Sequence, residues 1–289
     1  MNQNVLVTGT NSGFGRLIVQ TLASRGHQVF STMRDVAGRN AAVAAELIAA
    51  GQGRVHVIEM SPGEDASVDR AIAEVLAKAG HVDVLVNNAG FATAGLAETL
   101  TSQQLLEQYN INVVGPHRTM RAVLPSMRAR GKGLIIQISS GLGRIVSPLM
   151  GTYCSSKFAL EALSEAYRYE LKPTGVEVTL LQPGAFPTEL SQHMVAGAEQ
   201  ERAQGYGPLE NGLQMMGATF AAMFANNPPS PQLVADGVLT LLEKPAGTRP
   251  ARLVVDPISG QLVEALNGAI GGLQKTALGF FQMGMLADS

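Results

Sequence analysis

The sequence predicts an α/β fold in which a parallel sheet is covered by helices on both faces, a three-layer αβα arrangement. Three observations predict it. Short apolar runs alternate with stretches of helical periodicity through the first two thirds of the chain. The links between them are short, which favours neighbouring strands joined by helical crossovers. The first apolar run is followed at once by a glycine-rich turn that opens a helix.

Each element reads from its own pattern. Residues 5–8 form a short apolar strand, and Gly9, Ser12, Gly13, Phe14 and Gly15 turn into a helix whose apolar side is Leu17, Ile18 and Leu22. Residues 28–33 read as strand two, 36–50 as an alanine-rich helix, 54–59 as strand three and 66–79 as a further helix. Strand four, 83–87, ends in Asn87, Asn88, Ala89 and Gly90. A long helical region spans roughly 102–130, followed by the apolar strand 134–139, a helix beginning near Tyr153, and strand six at 175–181. A helix at 232–243 and a last strand at 251–255 close the pattern.

Bulk properties narrow the function classes. With 289 residues the chain has room for one large or two small domains; no linker, repeat or composition break marks a boundary, so 1–289 reads as one domain. A net charge of −2, with Arg and Lys scattered, argues against a nucleic-acid surface, which needs a basic patch. Cys154 is the only cysteine, so no internal disulfide points to secretion. The start at Met1 runs into a strand without a basic, apolar leader, and the expected location is the cytoplasm.

From Pro183 the alternation loosens. Residues 186–231 carry Met194, Met215, Met216, Phe220, Met223 and Phe224. Met and Phe at helical spacing are usually core; the alternative is a lid presenting an adaptable apolar face to a substrate. The extension 257–289 contains an apolar tail long enough to approach a bilayer's thickness. Lys275 in its middle and the five glycines within 268–284 argue against a spanning helix, leaving packing on the body or on a second subunit.

Glycines 9, 13 and 15 follow a strand and open a helix. There they permit a tight turn and a close backbone approach to a pyrophosphate, which the helix N-terminus attracts through free N–H groups and its dipole. No Gly-Lys-Ser/Thr follows, which disfavours a nucleoside triphosphate loop. An acidic residue at the end of strand two would accept both adenosine ribose hydroxyls and repel a 2′-phosphate. Met33 and Arg34 occupy that place, favouring NADP(H) over NAD(H). Asp35 either neutralises Arg34 or points into solvent.

Tyr153 and Lys157 lie four apart on one helix and therefore near one face. A free phenol has a pKa of about 10, and a fixed cation within about 4–6 Å favours the phenolate. Ser140, at the end of the apolar strand, is placed to hydrogen-bond a carbonyl oxygen gaining negative charge. The bland alternative for the pair is an ordinary surface Lys and a half-buried Tyr. Cys154 lies about 100° round the helix from Tyr153 and reads as packing.

Together these pieces resemble the short-chain dehydrogenase/reductase family, and in particular its hydroxysteroid and retinol dehydrogenase-like branch. The motifs run in order over about 5–188: Thr8-Gly9-x-x-x-Gly13-x-Gly15, Asn87-Asn88-Ala89-Gly90, Asn112-x-x-Gly115, Ser139-Ser140, Tyr153-x-x-x-Lys157 and Pro183-Gly184. The resemblance implies a Rossmann-type doubly wound sheet of about seven parallel strands. It implies a tetrad of Asn112, Ser140, Tyr153 and Lys157: Tyr153 exchanging a proton with the carbonyl oxygen, Ser140 holding that oxygen, Lys157 binding the nicotinamide ribose and lowering the Tyr153 pKa, Asn112 holding a water on the proton path. It also places Asn88 beside the adenosine ribose, and Phe186 and Thr188 near the nicotinamide amide. Glu59 and Met60 depart from the family's Asp and small apolar residue at the end of strand three.

The function expected is NADP(H)-dependent interconversion of an apolar ketone or aldehyde with its alcohol, with no metal, no nucleic-acid partner and no membrane span. A homodimer or homotetramer is expected from the resemblance. The alternatives are a non-catalytic NADP sensor, against which Tyr153 and Lys157 both argue, and an epimerase or dehydratase, whose longer substrate domain this chain has no room for.

Overall fold

The computed structural model describes residues 2–287. Met1, on which the expectation of a leaderless start rests, and Asp288 and Ser289, which end the 257–289 extension, lie outside the described residues. The chain begins β1 (Asn4–Thr8), α1 (Gly13–Ser24), β2 (Gln28–Met33), α2 (Ala41–Ala50), β3 (Val55–Glu59), α3 (Asp65–Ala79), β4 (Val84–Asn87) and the two-residue strand β5 (Thr93–Ala94). It continues through α4 (Ser102–Tyr109), α5 (Gly115–Arg130), β6 (Gly133–Ile138), α6 (Gly151–Leu171) and β7 (Val176–Pro183). Last come α7 (Glu189–Gln192), β8 (Val195–Ala196), α8 (Gly212–Phe224), α9 (Gln232–Glu243), β9 (Arg252–Val255) and α10 (Gly260–Phe280).

Seven strands form one sheet in the order β3-β2-β1-β4-β6-β7-β9, every pairing parallel. This is the Rossmann-type doubly wound arrangement. Its three layers follow from strand alternation. Val5 and Val7 join the apolar cluster with Ile18, Leu22, Val234 and Val238 beneath α1 and α9. Leu6 points the other way, into the cluster with Val68, Ile72, Met120 and Val123 beneath α3 and α5. β5 and β8 pair separately, joining Thr93 to Val195 and so tying the segment after Thr188 to the body.

Two helices differ from the sequence expectation. The alanine-rich helix begins at Ala41 rather than at residue 36, because Asp35 takes a left-handed φ of +52° and its carboxylate accepts the Arg39 N–H at 3.1 Å, closing a turn. The 102–130 region is not one α-helix: Asn110–Val114 wind as a π-helix between α4 and α5. A π-turn inserts an extra residue and often marks a functional position; Asn112 lies in this one. Among the described residues, no helix is long and apolar enough to cross a membrane.

Candidate active site

At the carboxyl ends of β1, β4, β6 and β7 the chain leaves a cavity of about 730 Å³. Gly9, Ser12, Gly13, Phe14, Arg34 and Asn88 line one end, Ser140, Tyr153 and Lys157 its middle, and Phe186 and Thr188 stand beside them. Gly15 and Asn112 sit behind the wall rather than on it.

The glycine loop is built backbone against backbone. Gly9 has φ +69°, and a Cβ there would come within 2.6 Å of Ala89 Cα. Gly15 packs directly on the Gly9 carbonyl. Asn88 Nδ2 donates to the carbonyls of Thr8 at 3.0 Å and Gly9 at 2.8 Å, while Thr8 Oγ1 accepts the N–H groups of Asn88 and Ala89 at 3.0 Å each. Asn88 thus clips the ends of β1 and β4 together as well as lining the cavity. Ser12 precedes α1 and makes no side-chain cap bond, so the first N–H groups of that helix stay open to the cavity. Gly13, φ +53°, has no neighbour nearer than 3.9 Å to a Cβ, so its bareness keeps the cavity open. A pyrophosphate fits such a cradle.

Arg34 lies at the end of β2. Asp35 turns toward Arg39, 3.7 Å between charged atoms, and among the described residues no ion pair neutralises Arg34. Phe186 is 3% exposed and packs edge-on against Phe14, ring centroids 5.5 Å apart, buttressing the loop. Thr188 starts the short α7.

Ser140 follows β6, and its Oγ accepts the Leu142 N–H at 3.1 Å. Tyr153 is in the first turn of α6 with Lys157 one turn on; Lys157 Nζ donates to the Ile138 carbonyl at 2.9 Å and lies 5.8 Å from the Tyr153 ring centroid. Asn112 Oδ1 accepts from Phe91 N at 3.1 Å, and its Nδ2 donates to Phe91 O at 2.9 Å and Ser156 Oγ at 3.1 Å. Ser156 Oγ in turn donates to the Tyr153 carbonyl at 2.8 Å. Both amide hydrogens of Asn112 are therefore spent on fastening the site, so a water beside it has only acceptors to use.

One expectation is corrected. The ammonium does not bring the phenol down: burial pushes Tyr153 up to about 12, against the pull of its hydrogen bond with Ser140. Burial also brings Lys157 down to about 8, against the attraction of Glu161. Both shifts have one cause, because removing either group from water favours its neutral form. Cys154 is 1% exposed and packs with Ala92, Met150 and Tyr153.

A second correction concerns residues 186–231. In α8 only Gly212 is buried, so the Met and Phe pattern is not core. Met194, Met216 and Phe220 pack onto the cluster around Tyr153, and Met194, Phe220 and Met223 line the cavity. Sequence reading missed Phe91, whose backbone fixes Asn112; its position directly after Gly90 was the available signal. Among the described residues, no cluster of His, Cys, Asp and Glu has the makings of a metal site.

The sheet is of the doubly wound α/β class, and the cavity lies at the carboxyl ends of its strands, where such sheets bind nucleotides. The short chain dehydrogenase family model matches residues 3–199, and the chain belongs to that family. It is 38% identical over 186 residues to 3-ketodihydrosphingosine reductase of Bacteroides thetaiotaomicron, covering 64% of this chain and 65% of that one. It is 34% identical over 200 residues to human 17-beta-hydroxysteroid dehydrogenase type 1, covering 68% and 60%, which places it near the hydroxysteroid dehydrogenase-like branch. Alignment thus spans less than two thirds of these relatives' own length. A short-chain dehydrogenase from Streptomyces avermitilis superposes with a TM-score of 0.76 at 31% identity, over 98% of this chain and 99% of that one.

Proposed function

We propose that the protein is an NADP(H)-dependent reductase interconverting a bulky apolar ketone or aldehyde and its alcohol. The observation that carries this reading is the single cavity joining an un-neutralised Arg34, the open α1 N-terminus and the Tyr153–Ser140 pair beneath an apolar cover. Gly9, Ser12, Gly13 and Phe14 would seat the pyrophosphate, Arg34 the 2′-phosphate, and Lys157, Phe186 and Thr188 the nicotinamide ribose and amide. When bound, the reduced nicotinamide supplies the hydride.

Tyr153, with a pKa near 12, is neutral at pH 7 and has a proton to give to the carbonyl oxygen as the hydride reaches the carbon. Ser140 holds the same oxygen while its negative charge develops. Asn112 keeps the Tyr153 turn in register through Ser156. Residues 186–231 serve as the substrate lid, with Met194, Phe220 and Met223 excluding water. The exposed Leu273, Phe280 and Phe281 of the C-terminal region fit a homo-oligomer, which sedimentation equilibrium tests.

Fluorescence titration with NADPH and NADH, followed by a panel of bulky ketones read at the reduced-nicotinamide absorbance, tests the whole reading. Tyr153→Phe should keep cofactor affinity and lose about 10²–10⁴-fold in turnover. Near-full activity in that variant overturns the assignment. Cofactor binding without turnover across the panel favours a sensor.

A further inference from the structure

Helix α6 carries a line of ionisable residues at four-residue steps: Tyr153, Lys157, Glu161, Glu165 and Tyr169. Four residues turn the helix about 40° past a full turn, so the line winds slowly round it. Its first two members face the cavity. The next two face β7 and β9, where a buried polar cluster has no part in the chemistry described above.

Glu161 is 2% exposed. Its Oε1 accepts from Gln182 Nε2 of β7 at 2.9 Å and its Oε2 from Arg252 Nε of β9 at 2.8 Å. Arg252 Nη2 reaches Glu165 Oε2 at 2.7 Å, and Asn267 of α10 donates to Gln182 Oε1 at 2.7 Å. One guanidinium is thus shared between two carboxylates. Arg144 adds a second cation, its Nε and Nη2 buried without a hydrogen-bond partner. Among the described residues, the ionisable groups around Lys157 and Glu161 are Tyr153, Cys154 and Glu165 from α6, Arg144 from the loop after β6, and Arg252 from β9. Asn267 and Gln182 contribute no charge.

The stem of Glu161 also borders the loop that carries Ser140. A Cβ at Gly143 would stand 2.9 Å from Glu161 Cγ, 3.1 Å from Ser139 Oγ and 3.2 Å from the Lys157 carbonyl. The carboxylate is therefore locked by α6, β7, β9 and that loop together, in one position relative to Lys157.

We propose that Glu161 is a positioning residue for the reaction: fixed one turn beyond Lys157, its buried carboxylate keeps the Lys157 ammonium charged inside the protein. The inference rests on the role given to Lys157 in the reductase reading. A buried ammonium whose one acceptor among the described residues is the Ile138 carbonyl is costly to keep charged. A fixed anion one helical turn away offsets that cost in a medium of low polarity. The direction of the Lys157 titration agrees, burial driving it down and Glu161 alone pulling it back.

The test reads Lys157 directly. The chain has six lysines, so ε-carbon-labelled lysine gives a tractable set of NMR signals, with Lys157 assigned by its loss in Lys157→Arg. In the wild-type protein Lys157 should titrate near 8. Glu161→Gln should lower that midpoint by about one pH unit, and Glu161→Asp, which keeps the charge, should restore most of the shift. Should Glu161→Gln fail to fold, the double variant Glu161→Gln/Arg252→Met is compared with Arg252→Met alone, and should titrate lower than that single variant because only the carboxylate differs between them. An unmoved midpoint in a folded variant lacking Glu161, or an equal shift in Glu161→Asp, overturns the proposal. Ketone turnover is scored separately. The expected midpoints without turnover sink the reductase reading and leave the electrostatic one standing, and turnover with unmoved midpoints does the reverse.

Discussion

At Gly9 a methyl group has nowhere to go: φ is +69° and the Ala89 backbone stands 2.6 Å from where Cβ would be. In α10, a Cβ at Gly268, Gly271, Gly272 or Gly279 meets nothing within 4 Å. The same contrast separates the two walls of the cavity. β1, β4 and β6, which end beneath the cavity, carry Val5, Leu85 and Ile136 in the core with no exposure at all, whereas α8 covers it with helix turns of which only Gly212 is buried. The reacting end is held by main chain against main chain. The covering end is held by a few Met and Phe side chains, which re-pack at low cost. One wall fixes a geometry, while the other is free to change what it admits.

Substitutions on each side sharpen or break this comparison. Gly9→Ala combines a left-handed backbone with a collision, and should lower stability by about 3 kcal/mol in denaturant unfolding and abolish NADPH binding. Normal stability there would mean the loop yields as readily as the lid. Arg34→Ala should weaken NADPH by about 10–100-fold, the worth of hydrogen bonds to a charged group, and leave NADH nearly unchanged. Equal losses in paired fluorescence titrations would make Arg34 structural. Phe220→Ala should raise KM for bulky ketones about tenfold without altering cofactor affinity. A matching change in NADPH affinity would show that the two walls are not independent. Gly272→Ala, in an open helical position, should raise stability by about 0.5–1 kcal/mol, and a loss in thermal unfolding would reveal a close approach at α10.

The tightly held wall is also the legible one. Glycines 9, 13 and 15 and the Tyr153/Lys157 spacing are local features, set by one turn or one helical period, and the structure brings all of them to one cavity except Gly15, which lies just beneath. Asn112 was legible as a residue but not in its partners, since Phe91 and Ser156 lie 21 and 44 positions away. The direction of the Tyr153 shift was misread because a four-residue spacing reveals the neighbouring charge and conceals the burial that outweighs it. The α2 boundary depended on a single left-handed Asp35, which composition does not announce. For residues 186–231 the Met and Phe pattern fitted both a core and a lid over a substrate, because helical spacing does not tell which surface an apolar face meets; the fold turns it to a cavity and solvent.

The π-turn at Asn110–Val114 has a consequence for the whole 102–130 run. One surplus residue advances the angular phase of everything after it, so α4 and α5 present faces that no single helical wheel superimposes. Deleting one residue there would let the run relax into an uninterrupted α-helix, rotating α4 against α5 by about 100°. Asn112 would then swing away from Phe91 and Ser156. The chain therefore keeps count at this point: substitutions around the turn change chemistry by degrees, whereas a single-codon deletion changes the phase at once.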